Sequence, residues 1–351
     1  MEYRLDELFD LQMGKTPARK NPEYWNSNDH KWISIADLSK CEKYITETKE
    51  HISSIAVQES GISEIPANTV IMSFKLSIGK TAITKEPIYS NEAIMSFRDK
   101  GMTPLLPDYI YYMFSGRDWS KGSNTAVMGT TLNKATLSQI RIYVHAYEDQ
   151  KRIVDLLDKV SSIISKREQE LVELDDLIKA RFVEMFGNGH DGFCNTKKLG
   201  EFCKFQQGTQ IPVEEQIEEQ LEGYTRFLRI IDYTQAPQIP RYVSVKGREI
   251  AEDSVVIVRY GATAGFVGHG YAGILANNLF EVVPDESILS KDFLYLALKY
   301  GTFEQEVHDK AFGAAMPALS FGMMNDIGVV TPNSTAQNGF VDFVKQVDKS
   351  K

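Results

Sequence analysis

A unit of about 190 residues occurs twice in this chain, and each copy runs from a mixed α/β stretch into a helix. The first copy opens Leu5-Asp-Glu-Leu-Phe-Asp-Leu-Gln12-Met-Gly14 and the second Leu199-Gly-Glu-Phe-Cys-Lys-Phe-Gln206-Gln-Gly208. Trp32-Ile-Ser-Ile-Ala-Asp37 is answered by Phe227-Leu-Arg-Ile-Ile-Asp232. Ser77-Ile-Gly79 is answered by Thr263-Ala-Gly265, and Asn91 by Asn277. Thr131-Leu132-Asn133 matches Ala318-Leu319-Ser320, and Gln150-Lys-Arg-Ile-Val-Asp155 matches Gln337-Asn-Gly-Phe-Val-Asp342. The matches keep their order, so both stretches are expected to share one fold. Different polar residues between shared anchors point to one protein that reads two related but different things.

At 351 residues the chain is long enough for two hydrophobic cores. No apolar run approaches the ~18 residues needed to cross a bilayer. The opening Met-Glu-Tyr-Arg-Leu-Asp has no basic start followed by an apolar block, so no secretory signal is expected. Cys41, Cys194 and Cys203 have no C-x-x-C spacing, which argues against a disulfide framework or a zinc site and for a reducing cytoplasm. The net charge of −9 argues against a nonspecific DNA coat. It leaves room for a reader with local basic patches.

Residues 1 to 147 form the first expected domain. Within it Thr69–Phe74 and Ile140–Val144 alternate like strands, and Asp108–Phe114 reads as a short helix with buried aromatics. From Glu148 to Phe186 the period changes. Ile153, Leu157, Val160, Ile164, Arg167, Leu171, Leu174, Ile178, Arg181 and Met185 keep a 4-3 spacing that turns one narrow stripe toward a partner helix. A helix over 148–187 would be a rod of roughly 58 Å, too long for the core of a small domain. Arg167 and Arg181 interrupt the stripe and are expected to fix register. A long amphipathic surface helix is the alternative. Glycines in Gly187-Asn-Gly-His-Asp-Gly192 break the helix. A second domain is expected over 195–332, where Asp253–Arg259 and Ser290–Leu298 answer the strand and helix of the first. A second spacer helix is expected over 333–351.

Tests for catalysis are negative. Gly14-Lys-Thr and Gly79-Lys-Thr lack the glycine five positions upstream that a phosphate loop needs, having Phe9 and Phe74 there. Asn21-Pro-Glu-Tyr24 differs from the adenine-methyltransferase tetrad at its third position and has no cofactor-binding glycine loop in range. Gly261, Gly265, Gly268 and Gly270 do not have dinucleotide-binding spacing. The six histidines are scattered, and Pro107-Asp108 has no Glu-x-Lys after it to complete a nuclease site. The chain is not expected to be an enzyme by itself, nor to hold a metal.

Gly14-Lys-Thr-Pro-Ala-Arg-Lys-Asn-Pro-Glu-Tyr-Trp25, Trp32–Asp37, Gln150–Asp158, Leu174–Gly187 and Gln337–Lys351 together resemble the specificity subunits of type I restriction-modification systems. The resemblance covers the whole chain, strongly in the helices and diffusely elsewhere. It implies an α+β protein in which two similar α/β target recognition domains are joined by long helices in an antiparallel coiled coil. Each domain would read one half of a split double-stranded DNA target. Two methyltransferase subunits would dock beside it and restriction subunits would join them. S-adenosylmethionine, ATP and Mg would belong to those partners.

Such readers take arginine, lysine, asparagine or glutamine to base edges and hydroxyls or amides to phosphates. The candidates for DNA contact in the first domain are Lys15, Thr16, Arg19, Lys75, Lys80, Thr130, Asn133 and Lys134. In the second they are Gln206, Gln207, Thr209, Arg229, Arg259, Tyr260, Thr263 and Lys310. Asn91 and Asn277 are expected to cap turns. By the repeat, Lys351 aligns with about Ile164, so the second rod is expected to be shorter than the first by about 20 residues. The distal half of the first rod is then expected to lack its partner. Leu171, Leu174, Ile178 and Met185 would lie exposed there and drive self-association or take cover on a partner subunit. A stand-alone restriction-modification enzyme and a protein-binding scaffold that uses no DNA are the competing readings.

Overall fold

The computed structural model describes residues 1–75, 77–119, 124–126, 129–187, 194–235, 238–311 and 318–351, with only the backbone at 124–126, 129–131 and 310–311. The chain separates into two compact units, Met1–Ser165 and Lys166–Lys351, and the division falls inside one helix.

In the first unit β1 (Glu2–Arg4), α1 (Leu5–Leu8) and β2 (Phe9–Met13) are followed by β3 (His30–Ile33), α2 (Ile35–Lys40) and β4 (Tyr44–Ile45). Next come β5 (Glu50–Ile52), α3 (Ser54–Ser60), β6 (Val70–Ser73), β7 (Thr81–Thr84), β8 (Tyr89–Ser90) and β9 (Ile94–Asp99). The unit ends with α4 (Pro107–Ser115), the hairpin β10 (Asn124–Ala126) and β11 (Gly129–Thr131), α5 (Lys134–Gln139), β12 (Arg141–Tyr143) and the first part of α6 (Tyr147–Phe186). One sheet has the order β2-β9-β6-β7-β4, another β5-β3-β8, and β1 pairs with β12. All four residues of β6 are buried, because the central sheet has a core on each face. Val70 and Met72 join Phe97, Phe114 and α5's Leu137 on one face, while Ile71 joins Ile33, Leu38 and Ile94 on the other.

The second unit repeats the plan. It contains β13 (Thr196–Lys198), α7 (Leu199–Phe202), β14 (Cys203–Gln207), β15 (Thr225–Leu228), α8 (Ile230–Thr234), β16 (Arg241–Val243) and β17 (Glu249–Ile250). Then follow β18 (Val255–Val258), β19 (Val267–Gly268), β20 (Gly273–Leu275), β21 (Leu279–Pro284), α9 (Lys291–Tyr300) and α10 (Phe303–Ala311). It closes with α11 (Phe321–Asn325), β22 (Gly328–Val330) and α12 (Ser334–Asp348). Its sheets run β14-β21-β18-β19 and β16-β15-β20-β17, and β13 pairs with β22. The strand between two cores is now β18, with Val255 and Ile257 on one face and Val256 and Val258 on the other.

The repeat holds at the level of single hydrogen bonds. β3 pairs in parallel with β8 as β15 does with β20. Gly79 and Gly265, both left-handed at φ 88° and 93°, each donate to the last residue of β6 or β18, Ser73 or Val258, at 2.9 Å. Leu132 donates to Phe74 O as Leu319 does to Arg259 O. One expected match shifts. Asn91 donates its amide to Ile33 O at 3.1 Å, and the residue that does the same to Leu228 O at 3.0 Å is Ala276, not Asn277. Asn91 does cap its turn, its side-chain oxygen accepting from Ala93 N. Asn277 instead donates its side-chain amide to Gln210.

The 4-3 stripe does form one helix, α6, of 40 residues. Ile153 packs on the first unit's core and Leu157 is half-buried. Val160, Ile164 and Leu171 are 43%, 53% and 42% exposed. The expectation of an uncovered distal half is corrected for three of its four residues. Ile178 is fully buried, and Leu174 and Met185 pack against the second unit's core. The reason lies in the antiparallel pairing itself, which the repeat alignment of the two helices leaves out of account. Phe340 meets Phe182 and Phe186, Phe343 lies under Arg181, and Lys351 pairs with Asp175. Numbers rise along α12 as they fall along α6, so the helices are antiparallel and the start of the second covers the end of the first.

Candidate nucleic-acid interface

In the first unit the segment after β2 crosses the ends of β8 and β9. Gly14 donates to Ile94 O at 3.1 Å and Lys15 to Ser90 O at 2.8 Å. A Cβ at Gly14 would overlap the Ser90 carbonyl, so only glycine allows this approach. The crossing delivers Lys15, Thr16 and Arg19. The Arg19 guanidinium lies 3.9 Å from the Trp25 ring and 4.8 Å from Trp32, and it forms a two-pronged ion pair with Glu50. Trp25 and Trp32 meet edge to face at 5.0 Å, and Trp32 Nε1 donates to Lys15 O. Lys15 donates to Ser60 O, and Thr16 donates to Glu92. The Thr16 hydroxyl chiefly, then the Glu92 amide, holds the Glu92 carboxyl below its usual range, and nearby Lys75 and Arg19 add to this.

Thr16, Arg19 and Lys75 are therefore gathered around Glu92. Leu132, which donates to Phe74 O, brings Asn133 and Lys134 alongside. Asn133 is the N-cap of α5, accepting from Thr136 N at 2.8 Å, so its side chain is committed to structure. Lys134 is exposed on the first turn. Lys80 stands apart, in a recess with Tyr111, Arg117 and Trp119. Thr130 falls in β11, and its side chain lies outside the described residues.

The second unit builds the same crossing from other side chains. Gly208 donates to Leu279 O at 3.0 Å and Thr209 to Leu275 O at 2.7 Å. Gln207 donates to Asn277 O, Gln206 is half-buried at the end of β14, and the Thr209 hydroxyl accepts from Arg248 N. Arg259 occupies the place of Phe74 and Tyr260 that of Lys75. Arg259 donates to Leu319 O and lies over the rings of Tyr260 and Phe321 at 4.9 and 5.5 Å. Arg229 is an anchor rather than a free contact. It clasps Asp232, whose side chain is fully buried, at 2.9 and 3.3 Å and donates also to Ile239 O. Its cleft is shared with Arg241, Asn277 and Asn278. Thr263 belongs to a different recess, with Tyr295 and Lys299. The Lys310 side chain lies outside the described residues.

Sequence reasoning missed two features. Buried Glu281 accepts from Arg248 and from Ser254 at 2.7 Å, an ion pair that no spacing announces. Glu92 and Asn277–Asn278 occupy the matching turns of the two units, and a comparison of turns rather than of asparagines would have found them. Among the described residues no group of three His, Cys, Asp or Glu side chains is placed to hold a metal, and no helix is long and apolar enough to cross a membrane. What the loops offer is a set of guanidinium, ammonium, amide and hydroxyl donors on a fixed scaffold.

Over residues 1–174 and 194–351 the chain matches the family described as type I restriction modification DNA specificity domain. It is 25% identical over 233 residues to the MjaIX type I restriction enzyme specificity subunit of Methanocaldococcus jannaschii, covering 60% of this chain and 53% of that one. It is 23% identical over 355 residues to the EcoprrI specificity subunit of Escherichia coli, covering 95% and 84%. The match thus spans about half the length of the first relative and most of the second. The S subunit of the type I system from M. genitalium shares the fold with a TM-score of 0.52 at 15% identity, covering 100% of this chain and 89% of that one. A chain from a structure of type I complex assembly and conformational transition gives 0.58 at 16%, covering 100% and 90%.

Proposed function

Because the chain belongs to the family of type I restriction modification DNA specificity domains, we propose that it is the sequence-specificity subunit of a type I complex. Each unit reads one half of a split double-stranded target. The observation that carries this reading is the repeated crossing. The same backbone bonds hold Thr16 and Lys75, with Arg19, near Glu92 in one unit, and carry Thr209, Arg259 and Tyr260 at the matching positions of the other, where Gln207 and Gln210 meet Asn277. A shared scaffold with different donors and acceptors is what two different base sequences require. The net charge of −9 fits contacts made through local groups rather than a uniformly basic face.

Methylation and cleavage fall to partners in this reading: two methyltransferase subunits using S-adenosylmethionine, and restriction subunits using ATP and Mg. The complex acts in the cytoplasm. Methylome sequencing of a host carrying the chain with its methyltransferase tests it, and the expected motif is two short half-sites flanking unread bases. Exchange of residues 195–332 for another recognition segment is expected to change one half-site only. A change in both, or no enriched motif, would overturn the reading.

A further inference from the structure

Two glutamines that sit at the start of α6 and α12 make the same three bonds. Gln150 is fully buried, accepts from Leu106 N at 3.0 Å, and donates to Pro104 O at 2.9 Å and His145 O at 3.0 Å. Gln337, 4% exposed, accepts from Ser290 N at 3.0 Å and donates to Ile288 O at 2.9 Å and Pro332 O at 2.8 Å. Leu106 and Ser290 are the N-caps of α4 and α9. Each glutamine thus ties the spacer helix to the N-terminus of a recognition-unit helix and to the strand-end loop before it. Every polar atom of both side chains is used, and a buried amide left unmet would be costly.

A charged contact backs each clamp, and it differs between copies. Eight residues beyond the glutamine stands Asp158 in α6 and Lys345 in α12. Lys345 pairs directly with Asp292 of α9 at 2.9 Å. The residue matching Asp292 is Asp108 of α4, which would face Asp158 as a like charge. Lys43 lies between them, 2.7 Å from each and 4.7 Å from the Tyr112 ring, with its side chain only 16% exposed. Tyr44 donates to Asp108 and Tyr112 to Asp158.

We propose that Gln150 and Gln337, backed by Lys43 and by the Lys345–Asp292 pair, are positioning residues that set the number of unread bases between the half-sites. The inference rests on the reading of the chain as a specificity subunit. None of these side chains belongs to the loop crossings, so they are expected to govern spacing and not sequence. A joint that is satisfied at every polar atom has one low-energy angle. Loosening it lets the recognition unit rock on its helix while the reading loops stay intact.

The test is methylome sequencing with the full chain and its methyltransferase subunits. The variants are Gln150→Met, Gln337→Met, Lys43→Met and Lys43→Arg. The methionine variants are expected to keep both half-site sequences but to methylate them also at spacings one base longer or shorter, at on the order of a tenth of the normal frequency or more. Lys43→Arg, which keeps the bridging charge, is expected to retain one spacing. Should the glutamine variants fail to accumulate, the Lys43 pair decides, because that side chain lies outside the apolar cores. A single strict spacing in Lys43→Met, or altered half-site bases in any variant, overturns the inference while the functional reading stands. A wild-type motif that is not split overturns both.

Discussion

Arg229 shows how far residue type alone misleads about role. As an arginine beside a repeated anchor it reads as a base contact, yet its three nitrogen contacts go to Asp232 and Ile239 O. Arg229→Met strands a fully buried carboxylate, with Arg226 still 3.8 Å away. It is expected to destabilise the second unit by about 2–4 kcal/mol in urea denaturation, since breaking a buried pair is costly and Arg226 compensates the remaining charge only in part. Arg19, over Trp25 and Trp32, and Arg259, over Tyr260 and Phe321, present guanidinium groups held by rings; of these rings only Phe321 comes from a distant segment, beyond the reach of local sequence pattern. Burial pushes Cys203 up to about 12, and burial with Glu42 nearby pushes Cys41 up to about 11, from 9.0. Both thiols then keep their proton in the fold above pH 9 while the unfolded chain loses it, so this contribution to stability is whole below pH 9 and declines as pH rises from there. Urea midpoints at pH 8 and 10.5 are expected to differ less in Cys203→Ser than in the unaltered chain.

At the scale of elements the period of the sequence was the surest guide. The 4-3 stripe became α6, and the runs at Thr69, Asp108, Asp253 and Ser290 became β6, α4, β18 and α9. What periodicity does not carry is direction. The resemblance does imply an antiparallel pair, which sets the start of α12 against the end of α6. The expectation of an uncovered distal end comes from aligning the two helices in repeat register, as a parallel pair would lie. Ile178→Asp, in a core with Phe182, Phe186 and Phe340, is expected to unfold the second unit, a loss of about 4 kcal/mol or more. Leu171→Asp is expected to leave thermal stability unchanged, because Leu171 is 42% exposed. Leu156, Val160, Ile163, Ile164 and Leu171 are among the exposed apolar side chains of the helix, with Val172, Leu177 and Val183, and self-association at moderate salt is expected to run through them. Sedimentation of Ile164→Asp beside Leu171→Asp checks this: both should shift the chain toward monomer, and unchanged association would remove α6 from the contact.

At the scale of the whole molecule the repeat foretold two units with a shared central strand order, because anchors such as Gly79 and Gly265 answer to backbone geometry. It did not foretell the sheet edges, where β4 extends one sheet of the first unit and β17 one sheet of the second. The turns that differ, Glu92 against Asn277, slipped by a residue because the eye follows like side chains while the fold follows hydrogen bonds. Removal of 334–351 would uncover Phe182 and Phe186, and Phe340→Ala alone is expected to cost the second unit about 3–5 kcal/mol by the cavity it leaves. The chain's three tryptophans, Trp25, Trp32 and Trp119, all lie in Met1–Ser165. Indole emission is therefore a private signal of the amino-terminal half, and the carboxy-terminal half is silent at that wavelength. A melt followed by fluorescence and by far-ultraviolet dichroism together will show one curve if the halves come apart as one and two if each keeps its own time.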